Sequence, residues 1–328
     1  MKALVLKAYN TFSFEDVPLP EIGPQDVLIR VKACGICGSD VHGMDGSTGR
    51  RIPPIIMGHE ASGLIEQIGS GVTEWKAGES VTFDSTVVTR QDFYSQKGAF
   101  NLSDFRKVLG VSCGEYRQHG AFAEYVAVPQ SVLYRLPEGL SFEQAAMTEP
   151  VSVAFHAVCG MIGLFVIQAL PLKGCGRIIA IDLDRSHLDM ALKLGADFAI
   201  KSDEGDTIEK VKNLTHGRGA DMAFEVVGIV PTVNLAIHVV RKGGKVGLVG
   251  NLSPKVELPL QSIVTRQLTL YGSCASAGEY PACLDMIASG RVKVDELISA
   301  VVPLSEAASW FDRLHKGEPG LMKVIVKP

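Results

Sequence analysis

Two hydrophobic textures alternate along the chain. Up to about residue 150, short runs in which every second position is apolar are broken by Gly and Pro: DVLIRVKA (26–33), ASGLIEQIG (61–69), GESVTFDST (78–86) and AFAEYVAVP (121–129). Such alternation turns one face of each segment to a core, and the frequent turn residues predict an irregular, barrel-like β domain. From about Val151 to Gly290 the pattern changes. Apolar runs such as RIIAIDL (177–183), AFEVV (223–227), KVGLVG (245–250) and LTLYGSC (268–274) alternate with segments of helical period, among them SHLDMALKLG (186–195) and EYPACLDMIASG (279–290). Strands alternating with helices of this length predict an α/β domain with a doubly wound parallel sheet. The tail, Arg291–Pro328, ends in MKVIVKP (322–328), a further strand expected to return to the first domain.

Composition narrows the function classes. A chain of 328 residues is long for one core, which stops growing at about 250–300 residues. The balance of 32 basic against 36 acidic residues, net −4, leaves no footprint for nucleic acid. No run approaches the roughly 18 apolar residues of a membrane span. The start, MKALVLKAYN, lacks the apolar core of a secretory signal, so a cytoplasmic protein is expected. Seven cysteines without framework spacing read as reduced thiols, some of them available to a metal.

The strongest local signal is the pair Cys37-Gly38-Ser39-Asp40-Val41-His42 and Gly58-His59-Glu60. Thiolate, imidazole and carboxylate are zinc's preferred ligand types, and a catalytic site keeps one position open. Alone, a Cys is ordinarily a small core residue and a His-Glu pair a structural one. With Glu149, near the end of the first domain, they make four candidate ligands.

These fragments, with PPIIMGHEASG (53–63), GAFAEYVAVP (120–129), TEPVSVAFHAV (148–158), GADMAFEVVG (219–228) and RKGGKVGLVG (241–250), lie in one order along nearly the whole chain. In that set the sequence resembles the zinc-dependent medium-chain dehydrogenases, closest to their polyol (sorbitol-type) and threonine dehydrogenase branch. The resemblance implies a GroES-like catalytic domain over 1–152, completed by 291–328, and a Rossmann-type dinucleotide-binding domain over 153–290. It further implies that Cys37, His59 and Glu60 hold one catalytic Zn²⁺, with Glu149 a fourth ligand or exchanging with water. Asp40 would orient His59, and Cys34 would be structural. Ser39 and His42 would relay the alcohol's proton to solvent, His being suited to that work by its pKa, while the hydride goes to a nicotinamide.

Many relatives carry a lobe of four cysteines on a structural zinc. Here those positions fall on Thr89, Asp92, Ser95 and Ser103, which do not replace four thiolates. No structural zinc is expected, and the lobe would be held by packing of Phe93, Tyr94, Phe100 and Leu102, or be mobile.

In the cofactor domain, Asp182 ends RIIAIDL, where a carboxylate bonds the adenosine ribose and repels a 2′-phosphate; this favours NAD, although Arg185 nearby weakens the preference. A simpler role for Asp182 is to cap the next helix. The glycine fingerprint is damaged: Gly160 and Gly163 remain, but Val158 stands where the first glycine belongs. TEPVSVAFHAV also runs straight into CGMIG, where about 15 residues of loop, strand and turn belong. The first strand of the sheet is therefore missing, which would leave a gap in its middle. Three origins fit: residues omitted with the numbering closed over them, a mis-spliced gene model, or a real deletion with SVAFHAV (152–158) recruited as a substitute strand.

The substrate expected is a small-molecule secondary alcohol or polyol, placed by the resemblance over the zinc. Ala275-Ser276 stand where polyol-oxidising relatives have an Arg-aromatic pair, which counts against sorbitol itself. Rival readings are a threonine or sugar-phosphate alcohol dehydrogenase, and a zinc-binding remnant without catalysis. The resemblance also implies a homodimer or homotetramer paired through LTLYGSC.

Overall fold

A computed structural model describes residues 1–113, 116–158 and 163–328. The chain forms two compact units, Met1–Glu149 with Ala277–Pro328, and Pro150–Ser276.

The first unit is built around the strand Asp26–Gly35. Val27, Ile29 and Val31 are buried and Arg30 points to solvent, but Leu28, on the other face, is buried as well, so the strand is covered on both sides at its start. It pairs antiparallel with Glu60–Ile68, Tyr125–Pro129 and Lys323–Lys327. Ser80–Phe83 and Leu133–Arg135 extend this seven-stranded sheet on one side, and Ile298–Pro303 on the other. A smaller sheet joins Lys2–Ala8 to Thr11–Asp16 and Ile55–Ile56. Leu4, Leu6, Ile29, Ile65, Phe83 and Phe122 fill the core between them. The helix Ala307–His315 seals it with Phe311, whose ring lies 4.8 Å from Phe12 and 5.6 Å from Phe122 between centroids. The chain returns to this unit at Ala277, earlier than the Arg291 expected from sequence. The helix Tyr280–Ala288 buries Tyr280, Cys283, Leu284 and Ile287, and Tyr280 stacks on Tyr134 at 4.9 Å.

The second unit is parallel α/β. Ile179–Asp182 pairs with Phe198–Lys201, and Ala220–Glu225, Val240–Leu248 and Thr269–Gly272 form a separate three-stranded sheet. The helices Arg185–Lys193 and Thr207–Leu214 follow strands and start at Asp184 and Asp206, whose carboxylates accept the free N–H groups of the first turn. Among the described residues no ladder joins Ile179–Asp182 to Ala220–Glu225. The sheet is split where its first strand belongs, and all four residues of Ile179–Asp182 are only half-buried. Residues 152–158 do not fill the slot as a substitute strand. They lie in the helix Thr148–Val158, whose spacing of Val151, Ala154, Phe155 and Val158 is helical rather than alternating.

Candidate metal centre

Strand Asp26–Gly35 delivers the chain into a short helical turn, Gly38–Val41, with Cys37 at its start. The turn places the Cys37 sulfur to accept bonds from the Ser39 N–H at 3.5 Å and hydroxyl at 3.3 Å. Glu60 opens the neighbouring strand, where it pairs with Gly35, and His59 immediately precedes it. Gly35 has to lack a side chain, because a Cβ there would collide with the Glu60 carboxylate.

Ligand atoms of Cys37, His59 and Glu60 lie within 4.8 Å of one another, His59 and Glu60 being buried. Zinc bonds of about 2.0–2.3 Å can be met by donors gathered that closely. Asp40, fully buried, turns Oδ2 to His59 Nδ1 at 3.4 Å, and neither atom has another hydrogen-bond partner. That contact leaves Nε2 of His59 for a metal. Burial works against both charges, yet Asp40 and Cys37 hold the His59 pKa well above its usual value, and His59 with Arg51 holds Asp40 well below the carboxylate range. Glu60 is matched by Lys323, whose Nζ donates to both carboxylate oxygens at 2.8 Å and to the Ile36 carbonyl at 3.2 Å. One thiol and one carboxylate thus converge in a buried space that a divalent cation suits in charge and ligand type.

Glu149 stands outside this tight cluster but within electrostatic reach of it. Burial pushes its pKa up to about 8, Glu60 adds to the rise, and His59 and Lys323 oppose it. His42 caps the end of the helical turn and is half-buried; burial and the neighbouring His315 lower its pKa. Cys34 is fully buried and its thiol is held protonated, chiefly by burial, as befits a structural residue. Sequence reasoning missed two residues, Arg51 and Lys323, both basic side chains drawn inward by buried carboxylates.

The sequence model of the alcohol dehydrogenase GroES-like domain matches residues 23–138, and that of the zinc-binding dehydrogenases matches 162–289. Sorbitol dehydrogenase of Bacillus subtilis is 32% identical over 348 positions, covering 100% of this chain and 97% of that protein. The chain belongs to the zinc-dependent medium-chain dehydrogenases. D-xylulose reductase A of Aspergillus niger is likewise 32% identical, over 96% of this dehydrogenase and 94% of the fungal protein. A zinc-binding dehydrogenase of Sinorhizobium meliloti 1021 bound to NADP superposes with a TM-score of 0.88 and 29% identity, covering 100% of this chain and 99% of the other. The 348 positions of the Bacillus comparison exceed this dehydrogenase's 328 residues, so that relative carries residues this chain lacks.

The lobe of the dehydrogenase that was expected to rely on packing is held otherwise. Asp92 Oδ1 accepts from the Ser95 N–H at 2.8 Å, and Oδ2 from the Ser103 hydroxyl at 3.0 Å and the Asp104 N–H at 2.7 Å. The Ser95 hydroxyl accepts from the Asp92 N–H at 2.8 Å, and the Thr89 hydroxyl donates to the Phe105 carbonyl at 2.8 Å. Phe93, Tyr94, Phe100 and Leu102 point outward, at 64%, 39%, 45% and 50% exposure, so they supply little packing. The backbone's polar groups are satisfied through Asp92 and Ser95, which removes the need for an apolar centre.

In the second unit Gly160 lies outside the described residues. Gly163 opens the helix Gly163–Leu172, and a Cβ there would meet only Val226 at 3.7 Å, an ordinary contact. Asp182 does not cap the following helix; Asp184 does, accepting from the Ser186 N–H at 2.6 Å. Asp182 Oδ1 accepts from the Asp184 N–H at 2.9 Å, and Oδ2 lies 3.4 Å from His187 Nδ1. Burial raises its pKa, but these partners outweigh it and keep the carboxylate ionised. Arg185 is turned along its own helix to Asp189 at 3.1 Å.

Proposed function

We propose that this dehydrogenase oxidises a secondary alcohol or polyol to a ketone with NAD as hydride acceptor. The reaction would run at a zinc held by Cys37, His59 and Glu60, with Glu149 as fourth ligand or exchanging with water. The observation that carries the reading is the convergence of those three ligand types within 4.8 Å, with Asp40 behind His59. Bound there, zinc supplies the Lewis acidity that lowers an alcohol's pKa. Ser39, beside Cys37, would accept the alcohol's proton while releasing its own, and a bound nicotinamide would supply the hydride acceptor that leaves the product a ketone. His42, three residues on and on the same side of the turn, carries the proton outward.

The ionised Asp182 at its strand end supports NAD over NADP, with Arg185 committed to Asp189. The sorbitol and xylulose enzymes among its relatives support a polyol. A homodimer or homotetramer is consistent with Thr269–Gly272 standing at the edge of its sheet. Among the described residues no helix is long and apolar enough to cross a membrane. A cytoplasmic setting fits thiols such as Cys34 and Cys37, which form no disulfide. The split sheet favours a second reading, a protein that holds zinc but binds the dinucleotide too weakly to turn over.

The test measures intact mass, zinc content, NAD affinity and NADH formation on one preparation, with sugar alcohols, threonine and a polyol phosphate as substrates. The proposal expects one zinc per chain and zinc-dependent NADH formation with a sugar alcohol or other secondary alcohol. A zinc-loaded protein of 35.1 kDa that neither binds NAD nor reduces it would establish the second reading instead.

A further inference from the structure

Arg51 is among the largest fully buried side chains, 2% exposed, and a guanidinium is withdrawn from water only where its donors are matched. Its Nε and Nη2 both donate to Asp40 Oδ1, at 3.1 and 2.7 Å. The same Nη2 reaches the Ser39 hydroxyl oxygen at 3.3 Å, and Nη1 reaches the Arg50 carbonyl at 3.2 Å. Space for this arrangement is built in. A Cβ on Gly43 would stand 2.5 Å from Arg51 Cγ and 2.8 Å from the Ser39 carbonyl oxygen, so the chain leaves that side empty for the arginine stem. Both side chains that Arg51 holds touch a candidate ligand. Asp40 faces His59 Nδ1 through its other oxygen, and the Ser39 hydroxyl donates to the Cys37 sulfur.

We propose that Arg51 is a positioning residue for the metal centre, fixing the Asp40 carboxylate against His59 and the Ser39 hydroxyl against Cys37 from one planar guanidinium. The inference rests on reading Cys37, His59 and Glu60 as zinc ligands, and goes beyond it by assigning an orienting group to two of the three. Both hydrogen bonds to Asp40 Oδ1 come from Arg51, and Oδ2 has no partner except the facing imidazole. Without the guanidinium the carboxylate is free to turn about its last bond, and His59 loses its alignment. The arginine also occupies a lone pair of the Ser39 oxygen, which directs the hydroxyl toward the Cys37 sulfur. A lysine keeps the charge but, with one nitrogen, cannot hold Asp40 along two donors and Ser39 along a third. Groups that align a ligating histidine are worth about 10–100-fold in metal affinity.

The test uses the zinc-loaded full chain as wild type, Arg51→Lys, Asp40→Asn and the double variant, each checked for folding by circular dichroism. Zinc release to an excess of chromogenic chelator is timed, and the visible spectrum of the cobalt-substituted protein is recorded as a probe of the Cys37 and His59 geometry. Arg51→Lys is expected to speed release about 10-fold or more and to shift the cobalt bands. The double variant should speed release by less than the product of the two single effects, because Arg51 reaches His59 only through Asp40 and keeps a separate arm only through Ser39. A folded Arg51→Lys with wild-type release and spectrum, or a double variant whose effect is the product of the singles, would overturn the proposal. Should Arg51→Lys fail to fold, Arg51→Gln, which keeps a donor without a buried charge, is held to the same outcomes. Failure of the ligand reading looks different: wild type would then hold no zinc, or Cys37→Ser would hold it as tightly.

Discussion

The Glu60–Lys323 pair offers a quantitative test of how the metal centre is balanced. Glu60 is fully buried, and the Lys323 side chain is 13% exposed. Lys323 places Nζ 2.8 Å from both carboxylate oxygens. Burial by itself lowers the Lys323 pKa, but Glu60 and Cys37 raise it above the usual value, so the lysine is charged at neutral pH. Replacing Lys323 with Met removes the cation and leaves a buried carboxylate uncompensated, a change that costs about 3–5 kcal/mol. For a unit of this size that corresponds to a fall in melting temperature of about 6–20 °C. Zinc changes the sum. With the metal bound beside it, Glu60 keeps a counter-charge, so the loss should be largest after chelation and much smaller in the zinc-loaded protein. Scanning calorimetry of wild type, Lys323→Met and Lys323→Met/Glu60→Gln, each with and without chelator, measures this directly. The double variant buries no charge and should recover most of the loss. A cost below about 1 kcal/mol, as for a surface pair, or one indifferent to zinc, would refute the argument.

Other consequences are as specific. Cys37→Ser should strip the zinc and abolish turnover, read by metal analysis and NADH formation; retained zinc would remove Cys37 from the ligand set. Asp92→Ala should open the 89–105 lobe to proteases while leaving zinc content unchanged, since Asp92 alone gathers Ser95, Ser103 and Asp104. The Asp92 pKa is lowered to about 2 by those donors, so its contribution is full above the ordinary carboxylate value and fades as pH falls from about 4 toward 2. Amide exchange across the lobe, corrected for intrinsic rates, should therefore accelerate in that window, and faster exchange only above it would contradict the assignment. Asp182→Ala should raise the Michaelis constant for NAD more than for NADP; an unchanged preference would leave Asp182 with its His187 and backbone contacts only.

What the sequence revealed of the site follows from how its chemistry is distributed. Cys37, Ser39, Asp40 and His42 sit on one turn, and His59 and Glu60 on one strand start, so ligand types and spacing are legible within a few residues. The cations that balance them are not. Lys323 is 263 residues from Glu60 and lies in a strand whose pattern says only that it alternates. Arg51 follows another arginine in a polar stretch, and nothing local says which of the two turns inward. A buried Asp40 does demand a counter-charge, and that demand is the signal by which an inward arginine could have been sought. The lobe failed in the opposite sense. Four apolar residues in a loop suggested packing, but a carboxylate satisfying three donors closed the loop first and left the rings outside.

The damaged fingerprint and the metal centre belong to different units, and that separation decides how each can fail. Cys37, His59, Glu60, Arg51, Glu149 and Lys323 all lie within Met1–Glu149 and Ala277–Pro328, while the split sheet is confined to Pro150–Ser276. The hydrogen bonds and ion pairs described above for Cys37, His59 and Glu60 come from the strands Asp26–Gly35 and Lys323–Lys327, the turn Gly38–Val41 and Arg51, and the electrostatic neighbour Glu149 also belongs to the first unit. Loss of a strand elsewhere removes none of these partners. In the second unit the loss is direct: in doubly wound folds the pyrophosphate rests on the turn that leaves the first strand, at the helix N-terminus, and that strand is the one lacking. Zinc retention and dinucleotide affinity are therefore expected to vary independently. A chelated sample should keep whatever NAD affinity the second unit possesses, and an NAD-free sample should keep its zinc. A fall in zinc retention on restoring the first strand by insertion would refute this independence.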